Sequence, residues 1–432
     1  MKDKDKNCIL IVNPRMISSS QTDNFYKYLP LGMLYLASYA QKYDYEVEVL
    51  DLSIYKNWVD ILRSKASSNK YQIIGISGTT PTHENIKQIA SIFKKYNESC
   101  TIIAGGPHAT FIGQDILSNM DVDIVIKGEG EIAFIKVLDY LIKGQGCLDQ
   151  ISGIVYKLNN NIFDTGKTVV IKNLDSIPFP LWNKVNMNYY TKEFFPIITS
   201  RGCPGRCIFC SAGAMSNGQY RRRSNDNIIE EIKCLYQKYK IDSFLFADNT
   251  FTVQRENVIK LCKRFRELPF EITWYCESRI DALDDELVQE MIKGGCIGLQ
   301  IGIESSNQEI LDTIKKRIDI TNIAIRLKHL FDQGMQSVFC TFVLGLPGET
   351  EKTLKETVKL MTDLKHIGVN VYTSLSTPFP GTYLCNHAEE LNILIKHKKW
   401  SRYFFNEITS FPQNLNEKTL RKYFVKAAQL TT

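Results

Sequence analysis

Three cysteines fall within eight residues in the segment Thr199-Ser200-Arg201-Gly202-Cys203-Pro204-Gly205-Arg206-Cys207-Ile208-Phe209-Cys210. Thiolates so closely spaced can wrap one compact metal centre, and Gly202 and Gly205 permit the tight backbone that this needs. Soft sulfur ligands select iron or zinc. Zinc sites usually show two CxxC pairs, whereas this loop has a single CxxC after a third cysteine, so iron is favoured, and zinc completed by a distant Cys or His is the alternative. Three ligands for a four-iron cluster leave one iron open, able to take a small molecule through nitrogen and oxygen. A purely electron-transferring cluster would normally be closed by a fourth cysteine.

Such a loop needs a rigid element before it and others around it. Apolar runs read as strands over Phe195 to Ser200, Ser243 to Ala247, Glu271 to Cys276, Cys296 to Ile301, Gln336 to Leu344 and Asn370 to Ser376. Helical spacing predicts helices over Asp226 to Tyr239 (capped by Ser224), Asn257 to Glu267, Asp285 to Lys293, Asn322 to Gln333 and Thr353 to Ile367. Six βα units make a partial (β/α)6 barrel of the TIM type, whose chemistry sits at the C-terminal ends of its strands. The cysteine loop directly follows the first of them.

Residues 1–146 form a separate α/β domain. Strands are expected over Cys8 to Val12, Glu46 to Leu50, Ile73 to Ser77, Thr101 to Ala104 and Asp123 to Lys127, alternating with helices over Leu31 to Gln41, Trp58 to Ala66, Glu84 to Tyr96 and Glu131 to Leu141. That pattern gives a doubly wound, mainly parallel sheet with a binding crevice at the carboxyl ends of its strands. Small-residue turns cluster there: Ser77-Gly78-Thr79-Thr80, Gly105-Gly106-Pro107-His108 and Gly128-Glu129-Gly130-Glu131. They suit close approach of a large flat ligand, and equally an empty α/β domain. Residues 147–192 read as a connector with a hairpin, Gly153 to Tyr156 against Val169 to Ile171, and the proline pair Pro178 and Pro180. The barrel spans 193–384, and 385–432 form a C-terminal helical extension.

With 44% hydrophobic residues in 432, each domain can build a core. A net charge of +6 spread over many Lys, Asp and Glu residues gives no reason to expect nucleic acid or an acidic membrane, and fits a small-molecule or peptide substrate. The polar start Met1 to Lys6 does not read as a signal peptide, and no stretch approaches the roughly 18 apolar residues of a membrane span. A cytoplasmic protein is expected. Its twelve cysteines then read as metal-binding or buried thiols, with Cys234, Cys262, Cys296 and Cys340 in the core. Arg221-Arg222-Arg223 reads as a solvated basic turn.

The CxxxCxxC spacing, with aromatic Phe209 just before the last cysteine, resembles the signature of the radical S-adenosylmethionine superfamily. The resemblance covers the whole second domain. It implies a four-iron, four-sulfur cluster on Cys203, Cys207 and Cys210, and S-adenosylmethionine on the open iron. It also implies that Ala247, Asp248 and Asn249, in Phe246-Ala247-Asp248-Asn249-Thr250-Phe251, lie near the amino group of the methionine moiety. Arg279 in Glu277-Ser278-Arg279 would meet its carboxylate, Glu304 the ribose hydroxyls, and Gly345 in Gly345-Leu346-Pro347-Gly348-Glu349-Thr350 the adenine. Without the cysteine loop, Asp248 and Asn249 read as turn residues and Glu304 as a helix-start carboxylate.

The first domain is similar to the cobalamin-binding domain fused to many of these enzymes, through Leu29-Pro30-Leu31-Gly32-Met33-Leu34-Tyr35-Leu36-Ala37 and the two glycine-rich stretches after the fourth and fifth strands. That similarity implies contact with cobalamin at Pro30, Leu31, Gly32, Ser77, Thr79, Gly105, Gly106, His108, Gly128, Glu129, Gly130 and Glu131. One departure stands out: Asp51-Leu52-Ser53-Ile54-Tyr55-Lys56 has Ser53 where the family's cobalt-binding His falls in Asp-x-His-x-x-Gly. His108 is a substitute ligand or, more simply, a polar loop contact.

The resemblance implies reductive cleavage of S-adenosylmethionine to a 5′-deoxyadenosyl radical, and methyl transfer from methylcobalamin to an unactivated carbon. A cyclase or rearrangement enzyme, whose first domain binds cobalamin without methyl transfer or binds substrate, is the alternative. A non-catalytic iron-sulfur or zinc protein is a third reading, from another class. No second cysteine cluster is evident, so an external donor such as a flavodoxin or ferredoxin is expected.

Overall fold

The first half of the chain follows from β-branched runs buried on two faces, which selects a parallel sheet covered by helices, whereas the strands of the second half alternate buried with part-exposed residues and so bury one face under helices. The computed structural model describes residues 9–16 and 29–431, so Met1 to Lys6 and Cys8 lie outside the described residues. Contacts divide the chain into two units, Met1–Thr191 and Lys192–Thr432.

In the first unit, β1 (Ile9–Asn13), β2 (Val47–Asp51), β3 (Ile73–Ser77), β4 (Thr101–Gly105) and β5 (Ile124–Ile126) lie parallel in the order β2-β1-β3-β4-β5. Helices α1 (Leu31–Lys42), α2 (Trp58–Ser67), α3 (His83–Tyr96), α4 (Gly106–Asn119) and α5 (Glu131–Lys143) connect and follow the strands. The core gathers Leu10, Val12, Ile74, Ile76, Ile102 and Val125 from the strands and Leu62, Ile89, Phe93 and Ile116 from the helices. Sequence reading missed α4, because Gly-Gly-Pro-His looks like a turn. In fact Pro107 sits in the first helical turn, where a missing N–H costs nothing.

The sheet continues with an antiparallel edge, β6 (Ile154–Leu158) on β5 and β7 (Asn161–Asp164) on β6. The hairpin partner is therefore Asn161–Asp164 and not Val169 to Ile171. Asn159 and Asn160 take φ of 49° and 65°, the left-handed pair that a two-residue hairpin turn demands and asparagine tolerates.

The second unit opens with β8 (Phe195–Ile197). A short antiparallel pair follows, β9 (Ser200–Arg201) with β10 (Arg221–Arg222), and it encloses the cysteine loop and α6 (Ser211–Ser216). The remaining strands are β11 (Ser243–Phe246), β12 (Thr273–Ser278), β13 (Cys296–Glu304), β14 (Ser337–Leu344) and β15 (Asn370–Leu375). All pair in parallel in the order β15-β14-β13-β12-β11-β8. Helices α7 (Asn225–Tyr239), α8 (Arg255–Phe265), α9 (Asp285–Lys293), α10 (Gln308–Thr313), α11 (Ile323–Asp332) and α12 (Glu351–His366) alternate with them. Ser224, Asp284 and Thr350 cap α7, α9 and α12 as side-chain acceptors.

Strand alternation sorts the two faces. Trp274 packs among Phe246, Phe251 and Phe265 of α8, with Cys276 buried on the same side, so Tyr275 and Glu277 point to the inner face. Cys262, Cys296 and Cys340 are buried and Cys234 is half-buried. The C-terminal stretch holds α13 (Tyr383–Asn386), an antiparallel pair of β16 (Ile393–Ile395) and β17 (Ser410–Pro412), and α14 (Glu417–Ala428) against α12. It is thus not wholly helical. Among the described residues no helix is long and apolar enough to cross a membrane.

Candidate active site

The cysteine loop leaves β8 at its carboxyl end, and the residues leading into it are held from the neighbouring strand. Asp248, fully buried just beyond β11, accepts four hydrogen bonds: Oδ1 from Thr199 N (3.0 Å), Ser200 N (2.5 Å) and Ser200 Oγ (2.7 Å), and Oδ2 from Thr199 Oγ1 (2.8 Å). Burial pushes its carboxyl pKa up, while these donors pull it down. Ala247 and Asn249 flank it with exposed side chains. Arg223 is the reverse of a solvated turn residue: it is buried, pairs with Glu231 of α7 and donates to Ile198 O at 2.7 Å. A buried guanidinium needs such partners, and they clamp β10 and β9 at the mouth of the loop.

Within the loop, Gly205 N–H donates to Cys203 Sγ at 3.3 Å, and Thr250 Oγ1 lies 3.5 Å from the same sulfur. Backbone N–H groups of Gly213 and Ala212 face Cys210. Burial raises the Cys207 and Cys210 thiols above their ordinary range, while Lys316 acts on both to lower them. Gly202 takes φ +86°, and a Cβ there would run into Gln219 O, so no other residue fits the turn. Among the described residues no three His, Cys, Asp or Glu side chains converge as ligands of a single ion. In an iron-sulfur cluster each thiolate takes a different iron, so three separated sulfurs, those of Cys203 and Cys210 with N–H donors aimed at them, fit that group.

Lys316 is the residue that sequence reading missed. Its Nζ lies 2.7 Å from Glu304 Oε1, and both side chains are nearly buried. Gly302 makes the room, because a Cβ there would collide with both charged groups. Desolvation works against the Lys316 charge, and Glu304 and Cys207 outweigh it, so its pKa is raised. Arg279 pairs with Asp281 at 2.9 Å and donates to Lys316 O at 2.6 Å. Two cations thus stand beside the thiols, each already tied to a carboxylate.

Phe209 packs against Leu384, Ala388 and Ile393 of the C-terminal extension, and Leu384 N–H donates to Ile208 O at 2.9 Å. Gly345, at φ +89°, starts a turn in which its N–H and that of Leu346 donate to the buried Glu349 carboxyl.

In the first unit, β3, β4 and β5 are adjacent, so Ser77, Thr79, Gly105, Gly106, His108 and Gly128 to Glu131 gather along one sheet end. Pro30 precedes α1, and Leu31 and Gly32 begin it, with open space where a Gly32 Cβ would be. Gly106 takes φ +88° and passes tightly over Gly78 O. Gly128 N–H donates to Thr110 Oγ1 at 2.9 Å, and Glu129 accepts from Ile171 N at 3.4 Å. Glu131 is buried at the start of α5. His108 is buried with both ring nitrogens engaged, Nε2 with His83 Nδ1 at 2.8 Å and Nδ1 with Thr80 Oγ1 at 3.1 Å. Burial, reinforced by His83, pushes its pKa down to about 3, so it is neutral. Asp51 holds Asn13, Ser53 N and Tyr190, which fixes the loop where the family's cobalt-binding His would fall. The small-residue cradle suits a flat macrocycle, and His108 keeps no lone pair to spare for a metal below it.

Comparison with known proteins agrees with this geometry. Residues 197–361 match the family model of the radical SAM superfamily and residues 25–138 that of the B12 binding domain. The uncharacterized methyltransferase PH0819 of Pyrococcus horikoshii is 31% identical over 92% of this chain and 87% of its own. An anaerobic magnesium-protoporphyrin IX monomethyl ester cyclase of Rubrivivax gelatinosus is 27% identical over 81% of this chain and 64% of its own. The fold is similar to that of the radical S-adenosylmethionine methyltransferase TsrM from Kitasatospora setae, solved with cobalamin and a [4Fe-4S] cluster. The TM-score is 0.74, at 15% identity over 98% of this chain and 81% of that one.

Proposed function

Since the chain belongs to the radical S-adenosylmethionine enzymes that carry a cobalamin-binding domain, we propose that it is a cobalamin-dependent methyltransferase acting on an unactivated carbon. The observation that carries this reading is the three-cysteine loop, anchored at the catalytic end of the partial barrel beside the Glu304–Lys316 pair. When bound, the cluster, S-adenosylmethionine and cobalamin supply the radical and the methyl group.

The chain's own residues have four tasks. Cys203, Cys207 and Cys210 hold three irons. Asp248 and Arg223 keep the loop in register with β8. Glu304, made rigid by Lys316, offers carboxylate oxygens to ribose hydroxyls, with Arg279 close to the methionine carboxylate and Ala247 and Asn249 open toward its amino group. The turn from Gly345 to Glu349 borders the adenine. In the first unit, the cradle from Pro30 to Gly32, Ser77 to Thr79, Gly105 to His108 and Gly128 to Glu131 would hold the corrin. We place the enzyme in the cytoplasm, with a flavodoxin or ferredoxin as electron donor and a small molecule or peptide as substrate.

Anaerobic reconstitution tests this. Dithionite reduction should release 5′-deoxyadenosine from S-adenosylmethionine, and Cys203→Ala, Cys207→Ala or Cys210→Ala should abolish both that release and cluster assembly. A variant lacking all three cysteines that retained activity would refute the assignment. A second reading, cyclisation or rearrangement, is favoured by the similarity to the cyclase. Product mass decides between them: a gain of one methylene unit means methyl transfer.

A further inference from the structure

Of the groups on the inner face of the barrel sheet, Glu277 has the least settled surroundings. It lies one residue before the end of β12, on the face opposite buried Trp274 and Cys276. Its side chain is exposed to solvent, although neighbouring groups crowd its carboxyl enough to desolvate it in part. It accepts one hydrogen bond, from Gln300 Nε2 on β13 at 3.2 Å, and Gln300 is itself exposed.

Beneath the pair the same face is aromatic. Tyr275 meets Phe194 edge-on at 4.6 Å and Phe339 at 6.0 Å, and Phe339 meets Tyr372 at 5.8 Å. Gly298, opposite Tyr275, leaves the space its ring occupies. Phe194 and Tyr372 remain more than a third exposed, which is unusual for rings lining a sheet face and suits a surface that receives a ligand.

The other charges nearby are accounted for. Asp248 is enclosed by Thr199 and Ser200, Glu304 and Lys316 bind each other, and Arg279 holds Asp281. The Asp248 and Glu304 carboxyls add to the effect of burial and bring Glu277 up to about 7, with Lys316 opposing. Among the described carboxyls of this group, Glu277 is therefore the one that keeps an oxygen beyond its Gln300 contact to meet a substrate, and the acidic surroundings disfavour an anionic one.

We infer that Glu277, backed by Gln300, receives a hydrogen-bond-donating amine, N–H or hydroxyl of the substrate, whose flat apolar body lies over Tyr275, Phe339 and Tyr372. The inference rests on the proposed function and narrows its substrate class to neutral or cationic molecules with an apolar face.

Benzylamine, benzyl alcohol and benzoate share one ring and differ only in the head group. Their binding to the full chain, reconstituted anaerobically and loaded with S-adenosylmethionine, can be followed by titration calorimetry. Benzylamine should bind at least about tenfold more tightly than benzoate, as expected for a charge-assisted hydrogen bond. Glu277→Gln should bring that ratio to within about threefold, and Glu277→Asp, which retains the charge, should keep the preference. A ratio unchanged in Glu277→Gln, or benzoate binding as well as benzylamine to the wild type, overturns the inference. Iron content and 5′-deoxyadenosine release by the wild type are read separately, so a failed family reading would be visible as their loss with the amine preference intact.

Discussion

Asp248 distinguishes two roles by a single atom. Were it needed as a charge facing a ligand, Asn would be as harmful as Ala. The structure instead turns both oxygens toward Thr199 and Ser200, with three donors on Oδ1 and only the Thr199 hydroxyl on Oδ2. In Asp248→Asn, an amide oxygen in the Oδ1 position keeps those three donors. Its NH2 group can donate to Thr199 Oγ1, because a hydroxyl also accepts. The neutral amide also avoids the desolvation that burial imposes on the carboxylate, so the cost should stay under about 1.5 kcal/mol. Asp248→Ala strands two buried backbone N–H groups at about 1–3 kcal/mol each, or roughly 2–6 kcal/mol in total. At about 2–4 °C per kcal/mol for a unit of this size, Tm should fall by at least about 4 °C in the Ala variant and shift little in the Asn variant. Thermal melting of the apo chain and iron content after reconstitution measure the two effects, and both should be near wild type in Asp248→Asn. Equal damage from Asn and Ala would refute the anchoring argument and return Asp248 to a direct ligand contact.

Lys316→Met leaves the Glu304 carboxylate buried and unpaired, which should cost about 3–5 kcal/mol, and adding Glu304→Gln should restore much of it. A double variant no more stable in urea than Lys316→Met would show that the pair is not coupled. Glu349 supplies a pH signature. Burial raises its carboxyl to about 8 from an ordinary 4.5, against the two backbone donors, so the folded state holds the proton more tightly than the unfolded chain. Its contribution is then fully present below pH 4.5 and is lost as pH rises toward 8, by up to about 1.4 kcal/mol per pH unit. Glu349→Gln, which keeps an acceptor for Gly345 and Leu346, should flatten that part of the stability profile. Parallel profiles for the two proteins would contradict a protonated Glu349.

Local pattern alone determined a good deal: the cysteine spacing, the alternation of apolar runs with helical periods, and the glycine-rich turns at strand ends. These are properties of neighbouring residues, so they survive without knowledge of the fold. The hairpin register was also locally encoded, in Asn159-Asn160, whose left-handed turn joins Ile154–Leu158 to Asn161–Asp164. Only the tertiary structure decided which charges are buried. Lys316 lies in the run Lys315-Lys316-Arg317 and Arg223 in a triplet of arginines, and by sequence each looks like a hydrated surface. Burying a charge is tolerable only when an opposite charge reaches it, and Glu304 and Glu231 do so through the fold. The aim of Asp248 depended likewise on Thr199 and Ser200, almost fifty positions earlier, brought beside it by the pairing of β8 with β11. Spacing shows which residues are present at a strand end, and packing across strands settles what each of them faces.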